Sequence, residues 1–247
     1  MKIPKASFVI PAYNAEAFLA GAILSCRAQS VKDIEIIVVD DGSTDGTREL
    51  CQWHCKEDPR VQYASFTTNQ GRCAARNFGN ALAKAPIILV LDSDDFALKN
   101  RVRDTLIVFQ MKNPDVVYGP FQIIDENGEI LGNQKAGKFS PELSLEKRHN
   151  FIGHSTMAYR KGVTTNVQYD EGEYSKLGLD DWKFQWDCFM KGYKFEFSSV
   201  PLSKYRIYRL PNNTLGSPTE YYRDAKRVDE LKNEYLGTIK ERFAAKI

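Results

Sequence analysis

No apolar run in this 247-residue chain approaches the roughly 18 residues that a membrane-spanning helix needs, which excludes a helical transmembrane protein. The run Ala6–Ile10 is too short for the apolar core of a secretory leader and leads straight into Pro11, so the chain reads as cytoplasmic, with peripheral contact at the inner face of a membrane left open. A charge excess is missing as well. With 34 basic and 32 acidic residues the net charge is +2, and the overall signature of a nucleic-acid binder is absent. The five cysteines, Cys26, Cys51, Cys55, Cys73 and Cys188, are odd in number and scattered, which fits reduced thiols rather than a disulfide framework. Cys51 and Cys55 flank His54 at helical spacing and read as packing residues rather than a zinc site. Only three histidines are present, His54, His149 and His154, and no nucleophile elbow accompanies them, which argues against a Ser or Cys hydrolase. Neither G-x-G-x-x-G nor G-x-x-x-x-G-K-[ST] occurs, so a bound nucleotide would have to be held by other means. No internal repeat or low-complexity segment is evident.

What the chain does have is a repeated strand, loop and helix rhythm. Buried strands are expected at Ala6–Ile10, Ile34–Val39, Val61–Phe66 and Ile87–Leu91, with helices at Ala15–Ala28, Thr47–Lys56 and Gly71–Lys84 between them. Alternation of this kind implies an α/β fold, a mostly parallel sheet with helices on both faces. Hydrophobic content of 43% and a length of 247 residues allow a sizeable core.

Three strands deliver polar residues at their carboxyl ends, where open α/β sheets bind ligands. Pro11 is followed by Tyr13 and Asn14, the second strand ends at Asp40 and Asp41, and the fourth runs into Asp92, Ser93, Asp94 and Asp95. Crowded carboxylates cannot all stay ionised comfortably without a cation, and hard oxygen ligands suit Mg²⁺ or Mn²⁺ arriving with a substrate phosphate. Asp41 is suited to accept from the N3–H of a pyrimidine or from ribose hydroxyls, and the Tyr13 ring to lie against a base. Helix capping and core-edge packing are the structural alternatives. Asn69-Gln70-Gly71-Arg72 opens the third helix, where backbone amides and the Arg72 guanidinium can face a diphosphate, and Arg76 shares that helix face.

The second half is expected to carry an amphipathic helix at Asn100–Lys112, a strand at Val116–Ile124, a hairpin turn at Asp125–Gly128, a return strand at Glu129–Leu131 and a loop at Gly132–Lys138. A short helix follows at Pro141–Arg148, and a closing strand at Gly192–Val200. His154 reads as a structural hydrogen-bonding residue in preference to a metal ligand or acceptor contact. Asp180 and Asp181 form a second carboxylate pair that opens a helix, where acids also favour the N-terminus. Lys204, Tyr205, Arg206 and Arg209 make a basic stretch suited to a donor diphosphate or an anionic acceptor, or to an ordinary solvated face. Thr219–Ile247 is a charge-mixed helical tail with Tyr222, Ala225, Val228, Leu231, Tyr235 and Ile239 at helical spacing. It would cover the domain, pair with another subunit to give a homodimer, or lie on a membrane surface, in that order of preference.

The blocks PAYN at 11–14, VVDDGSTDGT at 38–47, NQGRCAARNFG at 69–79 and LDSDD at 91–95 resemble glycosyltransferase family 2, inverting enzymes of GT-A fold that use nucleotide diphospho-sugars. They occur in the family's order across about the first hundred residues. The resemblance implies a GT-A domain over residues 1–217, its donor half at 1–98 and acceptor half at 99–217, followed by the tail at 218–247. It implies that Asp41 holds the base, that Pro11 and Tyr13 line the nucleoside pocket with Asn14 and Ser93 among the donor-binding residues, and that Arg72 or Arg76 lies near the diphosphate. Asp92 and Asp94, with Asp95 alongside, would bring Mn²⁺ or Mg²⁺ to that diphosphate. The family usually shows Glu-Asp-Trp where this chain has Asp180-Asp181-Trp182; Asp181 takes the general-base role by resemblance, and the shorter Asp180 leaves the first acid's role open. The Gln-x-x-Arg-Trp signature of processive polymerases is absent, so transfer of a single sugar to a hydroxyl, from a UDP-sugar by preference, is expected. A saccharide, a lipid-linked saccharide, a protein or a nucleic acid are all open as acceptors. A catalytically silent sugar-nucleotide-binding module and a metal-dependent nucleotidyltransferase are the competing classes.

Overall fold

The computed structural model describes residues 3–134, 137, 140, 152–211, 215–217 and 224–244. Strands β1 (Ala6–Ala12), β2 (Ile34–Asp40), β3 (Val61–Ser65) and β4 (Ile87–Val90) alternate with helices α1 (Leu19–Arg27), α2 (Thr47–Glu57) and α3 (Arg72–Leu82). After β5 (Phe96–Ala97) and α4 (Arg101–Lys112) come β6 (Val116–Tyr118), β7 (Phe121–Ile124) and β8 (Ile130–Gln134). A 3₁₀ turn at His154–Thr156 then leads through β9 (Ala158–Arg160) to α5 (Val163–Asn166), α6 (Glu173–Lys176) and α7 (Asp180–Met190). The remaining elements are β10 (Phe195–Phe197), β11 (Ser203–Arg206), β12 (Tyr208–Arg209), β13 (Leu215–Gly216) and α8 (Ala225–Ala244).

The central sheet has the order β10-β6-β9-β4-β1-β2-β3, and only β9 runs against its neighbours. Strands β1 and β2 are buried along their whole length, so consecutive residues feed opposite layers. Phe8, Ile10, Ile36 and Val38 pack with Leu19, Ile23 and Cys51 on one face, while Val9, Ile37 and Val39 pack with Cys73, Ala75 and Phe184 on the other. α3 lies close on the sheet because residue 79 is glycine: a Cβ there would sit 2.5 Å from Val9 Cγ1.

Several local expectations shift. β1 continues through Pro11, which pairs with Val39, instead of ending before it. The backbone of Val9 faces β4 through Leu91 N–H, and β4 pairs no further than Val9, so the missing amide of Pro11 removes no ladder bond. The strand expected over Val116–Ile124 is broken at Gly119-Pro120. β6 stays in the central sheet, while β7 joins a second sheet of order β5-β11-β7-β8. A Cβ at Gly119 would lie 3.0 Å from Ser198 Cβ, and the close approach there turns the chain. β8 reaches Gln134, taking up part of the expected loop, and the closing strand shrinks to Phe195–Phe197. The helix expected at Pro141–Arg148 lies outside the described residues.

The tail helix covers the domain. Leu236 and Ile239 of α8 pack with Trp182 and Trp186 of α7, and Val228 and Leu231 pack with Leu179. The helix that opens with the second acid pair is thus buried from both sides. No helix among the described residues is long and apolar enough to cross a membrane.

Candidate active site

The carboxyl ends of β1, β2 and β4 open into a cavity of about 1060 Å³, whose other walls come from the His154 turn, the N-terminus of α7, β11 and α8. Pro11, Tyr13, Asp41, Arg72, Arg76, Asp92, Ser93, Asp94, Asp180 and Asp181 all line it. Residues as far apart in sequence as 11 and 181 therefore share one enclosure.

On the β2 side, both Asp41 oxygens are engaged: Gln70 N–H donates to Oδ1 at 2.7 Å and Gly71 N–H to Oδ2 at 2.9 Å. The positive φ of 97° at Gly71 turns these amides inward. The amides that sequence reasoning offered to a diphosphate are thus held by Asp41. Burial raises the Asp41 carboxyl despite those two bonds. Tyr13 is half exposed on the same wall, whereas Asn14 does not line the cavity. With φ at 47°, Asn14 accepts from Thr44 N–H at 2.9 Å and braces the loop after β2 instead.

On the β4 side, Asp92 N–H donates to Ser155 Oγ at 3.1 Å, and Asp92 Oδ1 accepts from Arg76 Nη2 at 2.7 Å. Its Oδ2 lies 3.5 Å from His154 Nδ1. Burial alone would raise the Asp92 carboxyl, but Arg76 and His154 outweigh it and hold the group below the usual carboxylate range. Asp94 accepts from the Tyr208 hydroxyl at 2.7 Å. Burial and the neighbouring Asp92 charge push its carboxyl up. Asp95 parts from the other two. It is buried, does not line the cavity and accepts from Arg206 N–H at 2.8 Å; burial and the charges of Asp94 and Asp92 push it far up. The three aspartates divide into a cavity-facing pair and a structural third.

The arginines line the cavity and are ion-paired in it. Arg76 is buried, with one guanidinium nitrogen on Asp180 and another on Asp92, while Arg72 Nε donates to Asp180 Oδ1 at 3.1 Å. Their ion pairs join the start of α7 to α3. Asp180 in turn gives both oxygens to arginines. Burial would raise Asp180, but Arg76 and Arg72 hold it below the ordinary range. Asp181, the next residue, differs: burial and the Asp180 charge push its carboxyl up. The two neighbouring carboxyls are thus pushed in opposite directions.

Of the basic stretch, Tyr205 and Arg206 line the cavity. Arg206 donates to the carbonyls of Asp94, Asp125 and Glu126 and lies over the rings of Phe18 and Phe96. His154 sits in the site, its Nε2 3.0 Å from the Tyr169 hydroxyl. Tyr208, Ser155 and Lys232 also belong to the site and escaped sequence reasoning. Of these, only Tyr208 lay beside a segment that had drawn notice for its charge.

The arrangement defines a glycosyltransferase of GT-A fold. Residues 7–166 match the family model described as glycosyl transferase family 2, and the chain belongs to that family. An uncharacterized glycosyltransferase of Haemophilus influenzae is 31% identical over 188 residues, covering 76% of this chain and 73% of the relative. A Campylobacter jejuni protein named GalNAc(5)-diNAcBac-PP-undecaprenol beta-1,3-glucosyltransferase is 28% identical, over 90% of this chain and 71% of its own length. In fold, the chain is similar to S. aureus TarS 1-349 solved in complex with UDP, at a TM-score of 0.64 and 22% identity; 82% of this chain and 60% of that one are covered.

Proposed function

We propose that this chain is an inverting, cation-dependent transferase that moves one sugar from a nucleotide diphospho-sugar, by preference a UDP-sugar, to an acceptor hydroxyl. The carrying observation is that Asp181, with its raised carboxyl, lines the same cavity as the Asp92 and Asp94 pair. TarS has also been solved in complex with UDP-GlcNAc, which supports a uridine nucleotide as the donor's carrier.

A divalent cation fits the residues present. Asp92 and Asp94 are hard oxygen donors two positions apart, and the burial and Asp92 charge that together raise Asp94 are what a cation would offset. Among the described residues no three acids, histidines or cysteines are grouped to hold an ion by themselves, so the remaining ligands would be diphosphate oxygens and water, as Mg²⁺ prefers. A bound cation would supply charge neutralisation for the departing diphosphate.

The chain's own residues do the rest. Tyr13 and Pro11 flank the base, and Asp41, oriented by two amides, accepts from it. Asp180, fixed by two arginines, sets where α7 begins and so where Asp181 stands. The acceptor O–H bond breaks and its proton passes to an Asp181 oxygen. The acceptor oxygen bonds to the anomeric carbon from the face opposite the diphosphate, whose bond to that carbon breaks and whose oxygen keeps the electron pair.

The test is a thermal-shift panel of nucleotide sugars with Mn²⁺, followed by assay of the stabilising donor with and without EDTA. Release of nucleoside diphosphate that stops in EDTA and returns with Mn²⁺ is expected. Release of pyrophosphate would make the chain a nucleotidyltransferase, and full turnover in chelator would remove the cation.

A further inference from the structure

Both signs of charge line the cavity. At the β1, β2 and β4 end stand the acids Asp41, Asp92 and Asp94, with Arg76 on the Asp92 carboxylate and Arg206 beside Asp94. At the α6, α7 and α8 end the acids are Asp180 and Asp181, and Asp180 is already matched by Arg72 and Arg76. Two further cations, Lys176 from the last turn of α6 and Lys232 from α8, line that same end. They come from segments 56 residues apart, brought together by the packing of α8 on α7.

Lys232 differs from an ordinary helix-surface lysine. Lys226, on the same helix, is 88% exposed and pairs with Glu230 one turn on. Lys232 is part-buried, with its ammonium 5.8 Å from the centre of the Trp182 ring, on the cavity wall next to Asp181. A part-buried ammonium near an aromatic ring on a cavity wall is an arrangement long cations adopt at the edge of a binding site. Such placement suits an anion delivered beside the attacking hydroxyl, and it lies apart from the β1, β2 and β4 end that the donor occupies in the reading above.

Resting on that transferase reading, we infer that the acceptor is an anionic one: a sugar carrying a phosphate or diphosphate that Lys176 and Lys232 receive while its hydroxyl faces Asp181. The C-terminal helix then contributes to acceptor choice as well as to stability. Phosphate oxygens accept strong hydrogen bonds from ammonium groups, and a neutral sugar offers no equivalent charge.

The experiment compares three acceptor probes bearing the same terminal sugar: a farnesyl diphosphate-linked sugar, the free sugar 1-phosphate and an uncharged alkyl glycoside. Each is assayed with the donor identified by thermal shift. The two charged probes are expected to exceed the neutral one in kcat/KM by about tenfold or more, the effect of one or two charge-assisted hydrogen bonds. In the Lys176→Gln/Lys232→Gln double variant that ratio should collapse toward one, mainly through KM. Lys232→Arg should keep it, which separates lost charge from lost packing. Preference for the farnesyl probe over the sugar phosphate would assign the anion to a lipid carrier, and equal rates would assign it to the phosphate alone. A neutral glycoside used as well as the charged probes, or a ratio unchanged in the double variant, overturns the inference. Thermal stabilisation of the unaltered protein by the nucleotide sugar with Mn²⁺ is measured alongside, because no donor binding together with no transfer to any probe would count against the transferase reading itself.

Discussion

Arg76→Met is the most revealing perturbation of this site. The Arg76 side chain is 6% exposed and shares its guanidinium between Asp180 and Asp92, and Arg72 satisfies only one oxygen of Asp180. Methionine fills a similar volume but leaves two carboxylates facing a low-dielectric wall. Breaking a buried pair by removing one partner costs about 3–5 kcal/mol. In a chain of this size that is roughly a 10 °C fall in Tm. The sign with pH follows from the carboxylates. In the intact protein Asp180 and Asp92 are held below the ordinary range, so their contribution is present above the unfolded pKa and lost as pH falls through the folded one. Without Arg76, burial raises both, and each opposes folding once pH exceeds the ordinary carboxylate value. The gap in stability between the two proteins should therefore be widest near neutrality and narrow toward about pH 4. Urea unfolding at several pH values measures it. Asp180→Asn in the same background should recover part of the loss, because one stranded charge is gone. A cost below about 1 kcal/mol, or a gap that widens on acidification, would refute the assignment of Arg76 as the ion that joins α3 to α7.

Asp181→Asn should cut turnover by roughly 10²-fold or more while raising Tm near neutrality, since a carboxyl raised by burial and Asp180 opposes folding when ionised; stability measured beside kcat checks both. The same raised carboxyl should displace the acid limb of the kcat/KM profile above the ordinary carboxylate range, with activity rising as pH increases. Asp58, lowered to about 2 chiefly by hydrogen bonds from Arg60 and also held by Arg27, should cost about 2 kcal/mol at pH 7 on change to Asn, a loss that fades as pH approaches 2 in urea titrations. Gly79→Ala should destabilise by about 1–3 kcal/mol, read from the urea midpoint, because the new methyl meets stiff Val9 and Val39 side chains.

Most of the first hundred residues was legible because β1, β2 and β4 are buried apolar runs and the loops between elements are dense in turn residues. Asp92 and Asp94 could be singled out because acids at the end of a buried apolar run have no packing role, whereas Asp181 was singled out by its resemblance to the family's Glu-Asp-Trp block. What a linear pattern does not carry is who faces whom. Helical spacing places Arg72 and Arg76 on one face, yet nothing local announces that Asp180, 104 residues beyond Arg76, will take both. Asp95 differs from Asp94 only in the direction that a tight turn gives it, closed by Asp95 N–H on Asp92 O at 3.2 Å. β9 slots antiparallel between β4 and β6 through pairings some 70 and 40 residues distant, which periodicity cannot reveal. Lys232 had no signal at all, since its meaning comes from the packing of α8 on two tryptophans.

The clasp between Asp41 and the amides of Gln70 and Gly71 carries a last consequence. A helix opening of this kind ordinarily welcomes any small oxyanion, and cells are full of free phosphate. Here the berth is filled by a carboxylate that the protein supplies itself, so a bare anion arriving from solution finds the seat taken. In the donor reading proposed above, entry at this end then turns on what a visitor offers to Asp41 rather than on its negative charge.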